Sequence, residues 1–363
     1  MSAARKKFIY KGNFQMRRGG SLKDPIIAYE TWGQLNSKRD NAIVIFTGLS
    51  PSAHASSSPE DPAPGWWEEI IGPSRPVDTN QHFVICINSL GSCFGSTGPG
   101  SINPATGENY RLDFPVLTLE DIANAGYAVL ESLNIERLFA LIGPSMGGMT
   151  SLAFACMYPG TYERLMLIST AARALPFAIA VRSLQREMIR KDLTWQDGNY
   201  SSENPPVDGM RLARKLGMMT YRSAEEWEQR FGRERISEER NSGDGFAMDF
   251  EIESYLDAHA AKFTGQFDPN CYLYLSRASD LFDIAEHGGS LSAGLSKIDA
   301  NKISIIGVVS DLLFPIHQQR ELSDGLKKLG RQVEYTELNS TKGHDSFLVD
   351  IDVFRPVIYE FLR

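Results

Sequence analysis

The segment at residues 137–157 constrains this chain more than any other. It reads RLFALIG, then Pro144-Ser145-Met146-Gly147, then GMTSLAFACM. A short, nearly continuous apolar run is what a strand covered on both faces requires. The small-residue run after it has the length and composition of a helix. Between them, Gly143-Pro144-Ser145-Met146-Gly147 forms a Gly-x-Ser-x-Gly turn, sharp enough to need glycine on both sides where strand and helix approach each other. Such a turn exposes the Ser145 hydroxyl above the end of the strand. The Met146 N–H, at the helix start, faces the same point and can hold negative charge developing on a carbonyl oxygen. Ser145 is the candidate nucleophile and Met146 a candidate oxyanion donor.

The remaining chain supplies the sheet around that strand. Residues 41–48 and 82–88 are two more buried runs rich in Ile, Val and Phe, and residues 302–310 and 333–338 read as strands late in the chain. Residues 119–133 have helical apolar spacing with Glu120 and Asp121 in the first turn. Strands alternating with helices imply a parallel α/β sheet. Residues 1–40 alternate polar and apolar positions and read as antiparallel edge strands. Between about 172 and 295 the character changes. Helical stretches at 180–192, 209–216 and 224–231 are separated by polar loops at 197–206 and 238–245, with no convincing buried strand. A last helix covers 353–362. The reading is a sheet domain in two parts, 1–171 and 297–363, with a helical lid at 172–296 inserted between them.

Composition excludes several classes. The formal net charge of -8 gives no clustered basic surface of the kind nucleic acid requires. No apolar window is long enough to span a bilayer, and the basic start of the chain lacks the apolar stretch of a secretory signal. Cys86, Cys93, Cys156 and Cys271 form no CxxC pair, so they read as free thiols, mostly buried, in a reducing cytoplasm. No metal-ligand spacing is present.

A serine hydroxyl needs a base to take its proton. In this strand–turn–helix context the chain order is Ser, then Asp or Glu, then His. Of six histidines, His344 fits, in a glycine-containing loop after the strand at 333–338. His317 is the alternative, but it follows the strand at 302–310 too closely. Asp311, at the end of that strand, is the candidate carboxylate to orient the imidazole. A second oxyanion donor belongs in the loop after the 41–48 strand, where the Leu49 N–H is the choice.

Several longer motifs now resemble a known family. They are Cys86-Ile-Asn-Ser-Leu-Gly-Ser-Cys-Phe-Gly-Ser-Thr-Gly-Pro99, Ser101-Ile-Asn-Pro104, Asp113-Phe-Pro115, Ser145-Met-Gly-Gly148 and Gly343-His-Asp345. Together they resemble the homoserine O-acyltransferase family of the α/β-hydrolase superfamily. The resemblance implies an α/β-hydrolase fold, with a mostly parallel central sheet flanked by helices and a helical lid. It implies an acyltransferase that uses acyl-CoA as co-substrate, holds no permanent cofactor or metal, and passes an acetyl or succinyl group through an acyl-serine to an amino-acid hydroxyl. Homodimers joined through the lid are also implied. Carried onto this chain, the resemblance makes Ser145, Asp311 and His344 the catalytic set, Arg214 a contact for the acceptor's carboxylate, and Asp345 a contact for its ammonium. Arginine's planar fork suits the first task.

Within the family, three segments look like the serine O-succinyltransferase branch. These are Gly48-Leu-Ser-Pro-Ser-Ala-His-Ala55, Ser183-Leu-Gln-Arg-Glu187 and the run Phe267-Asp-Pro-Asn-Cys-Tyr-Leu-Tyr-Leu-Ser276. That branch implies transfer of succinyl to L-serine on a route to cysteine, with Ser52, Ala53, His54 and Ala55 as an acceptor-specificity loop. A succinyl donor brings a free carboxylate that calls for a cation, and Arg186 is the candidate. Serine and homoserine differ by one methylene, worth about 1–3 kcal/mol in a pocket. Homoserine acylation in methionine synthesis therefore stays open as an alternative, and a plain esterase or thioesterase as a third reading.

Overall fold

A computed structural model describes residues 5–237, 240 and 243–363. Residues 1–4 of the basic start, and Glu238, Glu239, Asn241 and Ser242 of the polar loop, lie outside the described residues. Eight strands form the main sheet: β1 (Lys6–Ile9), β2 (Ile26–Trp32), β3 (Ala42–Phe46), β4 (Phe83–Ile87), β5 (Leu138–Pro144), β6 (Tyr162–Ile168), β7 (Lys302–Val308) and β8 (Val333–Leu338). Their spatial order is β1-β2-β4-β3-β5-β6-β7-β8. β2 runs antiparallel to both its neighbours, β1 and β4. Every pair from β4 to β8 is parallel. The edge strands expected in the first forty residues divide between β1, β2 and a separate antiparallel ribbon, Asn13–Gln15 with Ser21–Lys23.

Strand periodicity sends alternate residues to opposite faces. In β3, Ala42, Val44 and Phe46 enter one core cluster while Ile43 and Ile45 enter the other, and all five are buried. The first cluster packs beneath α1 (Leu119–Ser132), α2 (Met146–Met157) and α8 (Ile316–Lys328), and the second beneath α9 (Ile351–Leu362). Each large aliphatic or aromatic side chain buried this way contributes about 1.5–3 kcal/mol. α1 starts where the sequence signals, with Thr118 and Asp121 forming a capping box.

β6 is the strand the sequence reading passes over. Its outer half carries Glu163 and Arg164, which are partly exposed, so only Leu165–Ile168 reads as apolar. Its insertion beside β5 matters, because Ile168 pairs with Pro144 directly before the elbow.

Between β6 and β7 the described chain is helical. α3 (Pro176–Lys191), α4 (Val207–Tyr221), α5 (Ala224–Phe231), α6 (Glu251–Phe263) and α7 (Pro269–Leu281) follow in order. α3 begins four residues before the expected start because Pro176 sits at its first turn. α6 and α7 were not anticipated, although Asp268 caps α7 and Pro269 opens it. The four cysteines are free, and Cys86, Cys156 and Cys271 are buried. No helix among the described residues is long and apolar enough to cross a membrane.

Candidate active site

β5 ends at Pro144, and the next residue turns hard. Ser145 has φ 56° and ψ -125°, a region that costs a non-glycine residue about 1–3 kcal/mol. Neighbouring groups hold it there. Its N–H donates to the Ile168 carbonyl at 2.9 Å, and its carbonyl accepts from the Thr170 hydroxyl at 2.8 Å. α2 then passes so close to β3 that a Cβ on Gly147 would lie 2.1 Å from the Phe46 carbonyl oxygen. Only glycine fits at that crossing.

The parallel register brings the other ends to the same edge. β7 pairs with β8 up to Val308 and Leu338, so the turns that follow lie beside each other. From them come Asp311 and His344. The Ser145 hydroxyl meets His344 Nε2 at 2.8 Å, and His344 Nδ1 meets Asp311 Oδ2 at 2.7 Å. The other Asp311 oxygen accepts the Leu313 and Phe314 amides at 2.9 and 2.8 Å. A carboxylate can only accept, so Nδ1 carries the proton, and Nε2 is left with a lone pair for the serine hydroxyl. Phe314 and Phe347 enclose the ring, with centroids 5.2 and 5.7 Å from it. Burial lowers the His344 pKa, but the Asp311 charge and hydrogen bond, followed by Asp345, outweigh it and leave the pKa raised. His317, the alternative base, is exposed on the first turn of α8.

Leu49 and Met146 both line the cavity above Ser145. Among the described residues neither N–H donates to a protein acceptor. Two uncommitted amides flanking a nucleophile can bind a developing oxyanion.

The helical segment roofs the cavity. Arg182 and Gln185 of α3, Arg214 and Tyr221 of α4, and Tyr272 of α7 line it together with Asp345. Arg214 lies over the Phe263 ring at 4.5 Å and the Tyr221 ring at 5.7 Å. Among the described residues no carboxylate comes within ion-pair distance of it, and its Nε is buried with no acceptor. Asp345 stands near the base. Burial raises its pKa against the pull of Arg222, His344 and Arg214.

Two groups of expected site residues lie elsewhere. Arg186 does not line the cavity. It pairs with Asp280 at 2.7 Å and faces a separate groove with Arg190 and Trp195. Arg182, one helical turn earlier, takes the inward position. Its Nε donates to Asp280 at 2.5 Å, and among the described residues one terminal nitrogen is buried with no acceptor. The helical spacing of Arg182 and Arg186 could have flagged it, since residues four apart share a face. Ser52, Ala53, His54 and Ala55 are buried behind the cavity wall, which is formed by Gly48–Pro51 instead. His54 Nδ1 meets Glu30 at 2.9 Å, and its Nε2 donates to the Ala63 carbonyl at 2.8 Å. These residues can shape the cavity only by bracing the loop from behind. Among the described residues no group of three or more His, Cys, Asp or Glu could hold a metal.

Residues 41–350 match the family model described as the alpha/beta hydrolase fold. A serine O-succinyltransferase from Litchfieldella anticariensis is 56% identical, over 100% of this chain and 99% of its own. The crystal structure of a homoserine O-acetyltransferase from Bacillus anthracis superposes with a TM-score of 0.91 at 33% identity, covering 100% of this chain and 98% of that one. The crystal structure of esterase E22 gives a TM-score of 0.89 at 31% identity, covering 99% of this chain and 100% of that one. An elbow serine, a hydrogen-bonded His–Asp pair and an arginine-lined roof thus occur in a chain that resembles acyl-transferring enzymes along its whole length. The chain is an acyltransferase and belongs to the homoserine O-acyltransferase family of the α/β-hydrolase superfamily, the group that includes serine O-succinyltransferases and homoserine O-acetyltransferases.

Proposed function

We propose that this enzyme moves a succinyl group from succinyl-CoA to the hydroxyl of L-serine through an acyl-serine intermediate, in cysteine biosynthesis. The supporting observation is a cavity with two guanidinium groups not fully committed to protein partners. Among the described residues, Arg214 has no carboxylate within ion-pair distance, and Arg182 has a buried terminal nitrogen without an acceptor. The reaction brings two carboxylates, one on the amino-acid acceptor and one at the far end of the succinyl group. An acetyl donor would leave that terminal nitrogen of Arg182 without a substrate acceptor, and a buried donor left unsatisfied costs about 1–3 kcal/mol.

The chemistry divides into two half-reactions. His344 takes the Ser145 proton as the oxygen attacks the thioester carbonyl. The Leu49 and Met146 amides hold the oxyanion. The tetrahedral adduct collapses, the C–S bond breaks, and His344 returns the proton to the departing thiolate. Serine then enters, with its carboxylate on Arg214 and its ammonium on Asp345. His344 takes the serine hydroxyl proton, the acyl group passes to that oxygen, and Ser145 regains its proton. Ping-pong kinetics follow. In this reading residues 172–296 act as a lid that keeps water from the acyl-enzyme. The exposed side chains of Phe177 and Leu184 on α3, and of Leu212 and Met219 on α4, are the surface through which a homodimer would form. Acyl-CoA is the co-substrate, and no permanent cofactor is needed.

Homoserine is the second acceptor to consider, given the likeness to a homoserine O-acetyltransferase at 33% identity. Water as acceptor, the esterase reading, leaves Arg214 and Asp345 without a task. The test is to offer L-serine or L-homoserine with acetyl-CoA or succinyl-CoA, following CoA release and product mass. Activity confined to homoserine with acetyl-CoA overturns the assignment, as does the absence of an acyl adduct on Ser145.

A further inference from the structure

Asp345 lines the cavity, whereas Arg222, just beyond the end of α4, does not. Arg222 nevertheless reaches Asp345, with Nε 3.4 Å from Oδ2. Its stronger contact lies on the other side, where a terminal nitrogen donates to Glu226 Oε1 at 2.8 Å. Glu226 is buried, and among the described residues its second oxygen has no hydrogen-bond partner. Lys342 approaches the same Glu226 oxygen at 3.8 Å.

This pair sits where the roof of the cavity meets the turn carrying the catalytic histidine. The Ser223 hydroxyl donates to the Thr341 carbonyl and accepts the Glu226 amide. The chain at Tyr221 comes so close to Gly343 that a Cβ there would lie 2.7 Å from the Tyr221 carbonyl oxygen. The α4–α5 junction and the 341–345 turn therefore pack as one unit.

Asp345 has a difficult task. To read an ammonium it must be ionised, yet burial disfavours its charged form. The charges facing it are Arg222, His344 and Arg214 as favourable partners and Asp311 as an unfavourable one. His344 gains and loses a proton in every cycle, and Arg214 is committed to the acceptor's carboxylate in the reading above. Of these three, Arg222 is the constant cation outside the chemistry. It touches Asp345 through one long contact to Oδ2, and among the described residues no hydrogen bond or ion pair engages Oδ1.

We propose that Arg222, anchored by Glu226, is a positioning residue that presents Asp345 as a carboxylate to the ammonium of the amino-acid acceptor. The inference rests on the acceptor reading given above. Arg222 has no part in the attack on the donor, so the two half-reactions should respond differently to its loss.

The experiment compares the wild-type enzyme with Arg222→Met, Arg222→Lys and Glu226→Gln. Two quantities are read: the burst of CoA release with succinyl-CoA alone, and the acceptor's KM and kcat/KM across pH. Arg222→Met should leave the burst unchanged and raise the acceptor KM roughly tenfold near neutral pH. Toward acid pH its kcat/KM should fall more steeply than that of the wild type, as expected when a second group, a carboxylate that has lost a nearby cation, also takes up a proton. Arg222→Lys should restore most of this, and Glu226→Gln should show a weaker form of it. An acceptor KM and pH profile unchanged in Arg222→Met overturn the proposal. So does a burst that falls as far as acceptor capture, since that reports damaged packing. If Arg222→Met does not fold, the same criteria apply to Glu226→Gln. A wild-type enzyme that forms no acyl adduct overturns the functional reading first and this inference with it.

Discussion

Asp311 and His344 are joined by a single hydrogen bond of 2.7 Å, and the geometry leaves it no alternative. The carboxylate's other oxygen is already engaged by the Leu313 and Phe314 amides. Orientation of the imidazole therefore depends on one atom. Asp311→Asn keeps the shape but can offer Nδ1 an N–H, which favours the wrong tautomer. kcat should fall about ten-thousand-fold with little change in donor KM. Stopped-flow CoA release checks this, and a loss below about tenfold would remove Asp311 from the catalytic set.

The acid limb of the acylation step should lie above the ordinary histidine value of 6.5. The sign follows from the role. A base must be unprotonated, and a raised pKa means that the inactive, protonated form persists to higher pH. Activity should fall as pH drops through that raised value. Asp345 is one of the charges holding it up, so Asp345→Asn should move the limb downward. The readout is the pH dependence of the CoA burst without acceptor. A limb unmoved or moved upward in Asp345→Asn contradicts the assignment.

Arg182 and Arg186 share Asp280 but face different spaces. Arg182→Met should lower kcat/KM for succinyl-CoA by roughly 10- to 150-fold, the equivalent of a charge-assisted hydrogen bond worth about 1.5–3 kcal/mol. Its effect on acetyl-CoA should be much smaller. Arg186→Met should discriminate less between the two donors. Equal losses with both donors in Arg182→Met would mean that the residue only supports the fold.

Gly147→Ala forces a methyl group against the Phe46 carbonyl at the crossing of β3 and α2. Stability should drop by about 1–3 kcal/mol, and activity by more, because Ser145 and the Met146 amide ride on the same turn. Thermal unfolding and CoA release together separate the two losses. An unchanged melting temperature with full activity would show that the turn has slack.

The sheet was largely legible because its strands are nearly continuous apolar runs, and β3 and β5 can be read residue by residue. β6 was not, since Glu163 and Arg164 break the run before Leu165. The segments carrying Asp311 and His344, which the structure brings together at Ser145, could be singled out because the chain order of the fold directs attention to the ends of late strands. The arginines of α3 show where the sequence falls short. A helix with arginine at 182 and 186 presents two cations on one stripe, and only the packing of α7 decides which of them points inward. The loop at Ser52–Ala55 sits behind the cavity wall for a related reason. Its residues are small or polar and look like pocket lining, but the Glu30–His54 contact draws them behind the wall.

Asp280 has one more consequence. It receives guanidinium groups from two successive turns of α3, so it works as a rivet between neighbouring helices. A slip of a single residue along the axis, about 1.5 Å, would strip both arginines of their shared partner and swing the inner one out of line. Choice of acyl group, in the reading given above, would then depend on the mechanical registration of two helices as much as on any atom that meets the substrate. Changes in donor preference should accordingly be sought among small residues at the α3–α7 seam, well away from Ser145.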